Sequence, residues 1–209
     1  MTRFHHPARR VACIVAAAAL VWPGAHAASP AASSCPDYFF LSDNLALNPS
    51  FETPTPGPAA GAKVCWQAGD PPFPASAAAE WQMHTSNSSA TVCSRLVHSS
   101  VPGPGGATML EFKAGSNEGG IYQSHALDPA RAYMFSVWVK VRSGQVAIQS
   151  RASTGGPVAW TSKTGEWEQL RVCTNSLIDT NMLVIYNQAA TGGTFYVDRV
   201  ELREIPIRE

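Results

Sequence analysis

The chain has 209 residues, enough for one domain with a sizeable core. Its 15 basic and 15 acidic residues balance, and no basic block occurs along the sequence, which excludes nucleic acid and anionic membranes as expected partners. Sixteen glycines, 16 prolines and no window that keeps a helical period beyond two turns argue against a helical fold.

The N-terminus reads as a removable address. Arg3, Arg9 and Arg10 precede an apolar run from Val11 to Trp22, too short to span a bilayer, and Ala25-His26-Ala27 fits a small-x-small cleavage site. Export with cleavage after residue 27 is expected, leaving a secreted or periplasmic protein. Fifteen basic residues less these three arginines leave twelve against 15 acids, so the mature chain is mildly acidic. Cys13 leaves with the leader; Cys35, Cys65, Cys93 and Cys173 remain, an even number in an exported chain, so two disulfides are expected. Four cysteines allow three pairings. The preferred pairing is Cys35 with Cys65 and Cys93 with Cys173, and the wide spacing disfavours zinc.

Residues 28–43 form a small-residue lead-in. Asn44 to Glu52 reads as the first strand, ended by the Pro- and Gly-rich run from Thr53 to Ala62. Short strands are expected over 79–84 and 91–98, with a turn at Asn87-Ser88-Ser89, and Val101 to Gly106 is expected as a loop. Strands follow at Ala107–Lys113 and Ile121–Ala126, on either side of a turn over 115–120. Asp128 to Arg131 then turns into the strongest strand, Ala132 to Val141. Tyr133, Phe135, Val137, Val139 and Val141 share one face, while Met134, Ser136, Trp138 and Lys140 share the other. Further strands are expected at 145–151, 167–173 and 182–188. The last strand, Thr194 to Glu204, alternates at Phe195 and Val197 and resumes at Val200 and Leu202 after a one-residue phase shift, which places a bulge beside Asp198. About ten short strands between turn-rich loops predict an all-β, two-sheet antiparallel sandwich over 44–205.

Several stretches carry a family resemblance: Asn48-Pro-Ser-Phe-Glu52, Gly120-Ile-Tyr-Gln123, Ala132 to Lys140, Thr164 to Leu170, and Phe195-Tyr-Val-Asp198. In that order and spacing the chain resembles the galactose-binding-like jelly rolls, specifically carbohydrate-binding modules of families 4, 9 and 22. The resemblance covers about 160 residues, from Asn44 to Glu204. It implies a non-catalytic, lectin-like jelly roll with a structural calcium. By the same resemblance the carboxylates of Glu52 and Asp198 and the carbonyl of Ser50 hold the ion. Two carboxylates meeting at strand ends would repel without a cation between them, and calcium takes six to eight oxygens. The loop Ala189 to Gly193 departs from the family, lacking the polar and acidic residues that some relatives use to hold sugar.

Pyranose rings stack on aromatic side chains, and their hydroxyls need planar polar partners. Tyr122, Trp138, Gln149, Arg151 and Tyr186 are expected at outward positions of adjoining strands, with Trp160 on a loop beside them. Trp66, Trp81 and Trp167 read as packing residues. His84, His98 and His125 have no metal-ligand spacing, and no acid is placed by motif in a catalytic role. A monomeric polysaccharide- or oligosaccharide-binding domain is therefore expected. A jelly-roll lyase using Lys140, Arg151 or a tyrosine as base is one alternative, and a structural or adhesive cell-surface protein is the other.

Overall fold

The computed structural model describes residues 35, 39–59, 61–67, 75–87, 90–151, 156–174 and 182–207, the Arg151 side chain excepted. The leader expected over 1–27 and most of the lead-in over 28–43 lie outside these residues.

Alternating β-branched and aromatic residues form eleven strands, and no helix occurs among the described residues. They are β1 (Val64–Gln67), β2 (Gln82–His84), β3 (Thr91–Gly103), β4 (Gly106–Ala114), β5 (Gly120–Ser124) and β6 (Ala132–Ser143), then β7 (Val146–Arg151), β8 (Val158–Trp160), β9 (Trp167–Thr174), β10 (Met182–Asn187) and β11 (Gly193–Ile205). The strands pair antiparallel in two sheets. One has six strands in the order β1-β3-β4-β11-β6-β9, the other five in the order β2-β5-β10-β7-β8. The expected β-sandwich is what forms.

One core fills the space between the sheets. Val92, Leu110, Phe112, Phe135, Val137, Val139, Val172, Phe195 and Val197 face it from the six-stranded sheet, and Met83, Ile121, Val146, Ile148, Leu183 and Ile185 from the other. Tyr133, Phe135, Val137, Val139 and Val141 are all buried, as their alternation requires. Trp81 and Phe51 are fully buried with ring centroids 5.4 Å apart, and Trp66 is also in the core. The phase shift in β11 is a bulge: the register to β6 slips between Asp198 and Glu201, where Arg199 takes a φ of 44°.

Three expectations need correction. Asn44–Glu52 is not a strand, because its own side chains capture the backbone. Asn44 accepts from Ala46 N–H (3.1 Å) and Leu202 N–H (2.9 Å), while Asn48 and Phe51 have φ of 44° and 58°. The segment nevertheless runs along β11, with Leu45 N–H donating to the Leu202 carbonyl (2.8 Å) and Val200 N–H to the Pro49 carbonyl (2.7 Å). Second, β3 runs on through 101–103, and an irregular register between His98 and Gly103 carries the hairpin to a tight turn at Pro104-Gly105. Third, the disulfides join Cys35 to Cys173 and Cys65 to Cys93. Cys65 and Cys93 are cross-strand partners on β1 and β3 with Cα atoms 4.1 Å apart. Cys93 and Cys173 stand on strands separated by β4, β11 and β6, about 19 Å apart at the usual strand spacing and beyond disulfide reach.

Candidate functional site

The outer face of the five-stranded sheet follows from the core. Because Met83, Ile121, Leu183, Ile185, Ile148 and Ala159 point inward, their neighbours point out. Register aligns those neighbours in rows across the strands. One row reads His84, Gly120, Tyr186, Ala147, Trp160; the next reads Gln82, Tyr122, Val184, Gln149, Val158. In the first row large rings alternate with the smallest side chains, so His84, Tyr186 and Trp160 stand two strands apart, about 9–10 Å. Ala147 and Val184 are buried although they face outward, covered by the larger residues around them.

Local contacts fix several of these side chains. The Tyr122 hydroxyl donates to Gln82 Oε1, and its ring meets His84 edge-on with centroids 6.3 Å apart. Burial raises the Tyr122 hydroxyl above its ordinary pKa. The Gln149 amide donates to the Gly156 carbonyl (3.3 Å). Glu118, in the β4–β5 loop with a φ of 57°, accepts from the Ser86 hydroxyl and borders the same face. His84, Glu118, Gln149, Val184 and Tyr186 line a cleft of about 60 Å³. That is far below the roughly 300–1,000 Å³ of a pocket that engulfs a ligand, so this face suits a ligand lying across it.

Tyr122, Gln149, Tyr186 and Trp160 are thus brought together on four neighbouring strands, and Trp160 lies on a strand, not a loop. Arg151 occupies the next row, paired with Met182; its side chain lies outside the described residues. Trp138 is the correction. It sits on β6 in the other sheet, opposite Asp198 and Gln169, with the core between it and the tyrosines. Sequence alternation gave the correct face of its strand but held no information on which sheet the strand joins. His84, Gln82 and Glu118 were not anticipated. β2 falls at the end of the strand expected over 79–84, but three residues are too few to show which of its faces meets the tyrosines, and Glu118 comes from a loop.

The second cluster is built on the bulge. Asp198 is fully buried; Oδ2 accepts from Gly105 N–H and Oδ1 from Arg199 N–H, both at 2.8 Å. Glu52 accepts from the Thr108 hydroxyl (2.6 Å) and more weakly from its N–H (3.3 Å). Burial raises the Asp198 carboxyl above its ordinary pKa, and the Glu52 charge adds to the rise against the two backbone N–H groups. The β3–β4 turn closes over both acids. A Cβ on Gly103 or Gly105 would collide with the Asp198 carboxylate, and one on Gly106 would stand 2.7 Å from Glu52 Oε1. Ser50 lies in the turn between Pro49, bonded to β11, and buried Phe51. Among the described residues no basic side chain forms an ion pair with Asp198. Two coupled carboxylates with lone pairs to spare, under a turn that admits no side chain, fit a hard cation bound by oxygen.

No protein-family model matches the sequence, and no curated protein matches it. Solved structures do. A family 61 carbohydrate-binding module, in complex with β-1,4-galactotriose, matches at a TM-score of 0.50 and 18% identity over 78% of this chain and 99% of its own. An arabinose-bound GH51 α-L-arabinofuranosidase matches at 0.50 and 16% over 77% of this chain, which spans 26% of that enzyme. The CBM22-1 xylan-binding domain of Paenibacillus barcinonensis Xyn10C covers 73% of this chain at 13% identity and a TM-score of 0.46. At these identities the likeness establishes the fold, a jelly roll shared with carbohydrate-binding modules.

Proposed function

We propose that the chain is an exported, non-catalytic carbohydrate-binding module that holds a polysaccharide across the outer face of its five-stranded sheet. The observation that carries this reading is the row of His84, Tyr186 and Trp160 at two-strand spacing, with Tyr122 and Gln149 beside it. Rings with small residues between them offer flat stacking surfaces for pyranose C–H faces, and amide and hydroxyl groups meet the sugar hydroxyls. Arg151 continues the face on β7. The two disulfides suit the oxidising compartment that the leader over 1–27 addresses. No helix among the described residues is long and apolar enough to cross a membrane.

A structural calcium completes the proposal. Glu52 and Asp198 would hold it with the carbonyl of Ser50, and the ion would offset the repulsion between the two carboxylates. Its role is to fasten the N-terminal segment and the β3–β4 turn onto the bulge of β11.

The fold's relatives suggest the panel. Affinity electrophoresis against β-1,4-galactan, xylan, arabinan and other soluble polysaccharides is expected to retard the wild type with at least one, and Trp160→Ala and Tyr186→Ala to lose that retardation while melting normally. Retardation by none, across a broad glycan array as well, would remove the reading. A lyase remains as second reading on one observation, the edge contact of titratable His84 with Tyr122 on the same face. Release of unsaturated sugars, followed in the ultraviolet, would establish it.

A further inference from the structure

We propose that the outer face of the six-stranded sheet is a second binding face, for an anionic polysaccharide bearing carboxylate or sulfate groups. It is independent of the glycan reading above, since the core separates the two faces.

Cations scattered along the sequence converge there. Arg95 on β3 pairs with Glu111 on β4, Glu111 with Tyr196 on β11, and Tyr196 with Lys140 on β6. Lys113 stands two residues beyond Glu111 on β4, Arg142 two beyond Lys140 on β6, and Lys63 just before β1. Across β3, β4, β11 and β6 the row spans about 14 Å. Lys63, Arg95, Glu111 and Lys113 line a hollow of about 180 Å³.

Glu111 is the acid among them, and its charge is already used. Arg95 grips it at 2.7 and 3.0 Å. Burial pushes the Glu111 carboxyl up, but hydrogen bonds from Arg95 and Tyr196 outweigh that and hold it below its ordinary pKa. Burial raises the Tyr196 hydroxyl above its ordinary pKa, and the nearby Arg142 guanidinium opposes that rise. Lys63, Lys113 and Lys140 form no ion pair among the described residues. With Arg95 balanced by Glu111, four cations remain and make a positive field, and the half-buried Tyr196 ring adds an apolar surface in its middle.

Charge density selects the partner. Duplex DNA carries one charge per about 1.7 Å, so a 14 Å span would present about eight charges to these few cations. A polysaccharide with one charge for each ring or two matches them better, and its ring faces suit Tyr196.

The test is affinity electrophoresis of the full protein in gels containing polygalacturonate, dextran sulfate or uncharged dextran. The wild type should be retarded by polygalacturonate, dextran sulfate or both, not by dextran, and the effect should fade near 0.5 M salt, where the Debye length falls to about 4 Å. The two polyanions distinguish a carboxylate from a sulfate ligand. Lys113→Glu combined with Lys140→Glu should weaken retardation at least about tenfold with melting unchanged. Trp160→Ala, on the other sheet, should leave it intact. Should the double reversal unfold, Lys63→Gln and Lys113→Gln are read instead, each expected to weaken retardation. The proposal is overturned if neither polyanion retards the wild type, if the folded lysine variants are retarded equally, or if duplex DNA competes as well as the polysaccharide.

Discussion

Asp198 carries more consequence than any other single side chain. It is a buried acid with two backbone donors and a second carboxylate nearby. Its folded pKa is raised above the unfolded one, so the stability it contributes is present below the ordinary carboxylate range and is lost as pH rises through the folded value. The metal-free protein should therefore lose melting temperature on raising pH from about 4 toward neutrality, other carboxylates aside. Calcium should remove that loss by holding the carboxylate ionised, and Asp198→Asn should flatten the metal-free profile. A metal-free profile identical in wild type and Asp198→Asn would contradict this account. Gly105→Ala tests the same spot sterically, since the new methyl meets the Asp198 carboxylate and the Arg199 backbone. It should cost about 1–3 kcal/mol and weaken any calcium-induced rise in melting temperature. The approach of Glu52 to Asp198 was suggested by the sequence because the two ends of a domain often meet and each end here brings one acid, although Glu52 lies in a turn and Asp198 at a bulge within β11. The turn that seals them was not, because Val101–Gly106 carries the composition of a free loop while a register shift folds it onto the site.

Among the elements, the long alternating strands were legible, as were the short β2 and β5, while β1 and β8 were not. β4, β6, β7, β9, β10 and β11 fall within a few residues of the expected bounds, since each alternates over five or more residues. β1 and β8, four and three residues long, hold too little period to register. Asn44–Glu52 misleads for the opposite reason: its apolar residues alternate, but Asn44, Asn48 and Pro49 commit the backbone to side-chain bonds and turns. The disulfides make a testable claim here. Peptide mapping of unreduced protein should give Cys35 linked to Cys173 and Cys65 to Cys93; a Cys35–Cys65 or Cys93–Cys173 peptide would contradict the topology. Replacing Cys65 and Cys93 together should cost about 2–4 kcal/mol, because that bridge closes a 28-residue separation.

At the scale of the whole molecule, the sandwich gives one small chain two outer faces of different character. The five-stranded face is aromatic and amide-rich; the six-stranded face is cationic. Neither patch exists as a run in the sequence, because each strand contributes one or two residues and pairing order alone brings them together. Strand order is set by non-local contacts that a periodicity cannot express, which is why Trp138 was grouped with tyrosines on the opposite side. Trp138→Ala should accordingly leave glycan binding at the five-stranded face unchanged. Trp81→Ala, in the core, should cost about 3–5 kcal/mol and reduce binding only through unfolding.

The central claim is that Trp160 and Tyr186 form the glycan platform, and one titration tests it most directly. Calorimetry of wild type, Trp160→Ala and Tyr186→Ala is run against the polysaccharide that retards the wild type best, with thermal melts of all three. The account predicts a loss of about 1–3 kcal/mol of binding per ring removed, by analogy with stacking of other flat ligands on aromatic side chains, at nearly unchanged melting temperature. Two folded variants that bind that polysaccharide with wild-type affinity would contradict it.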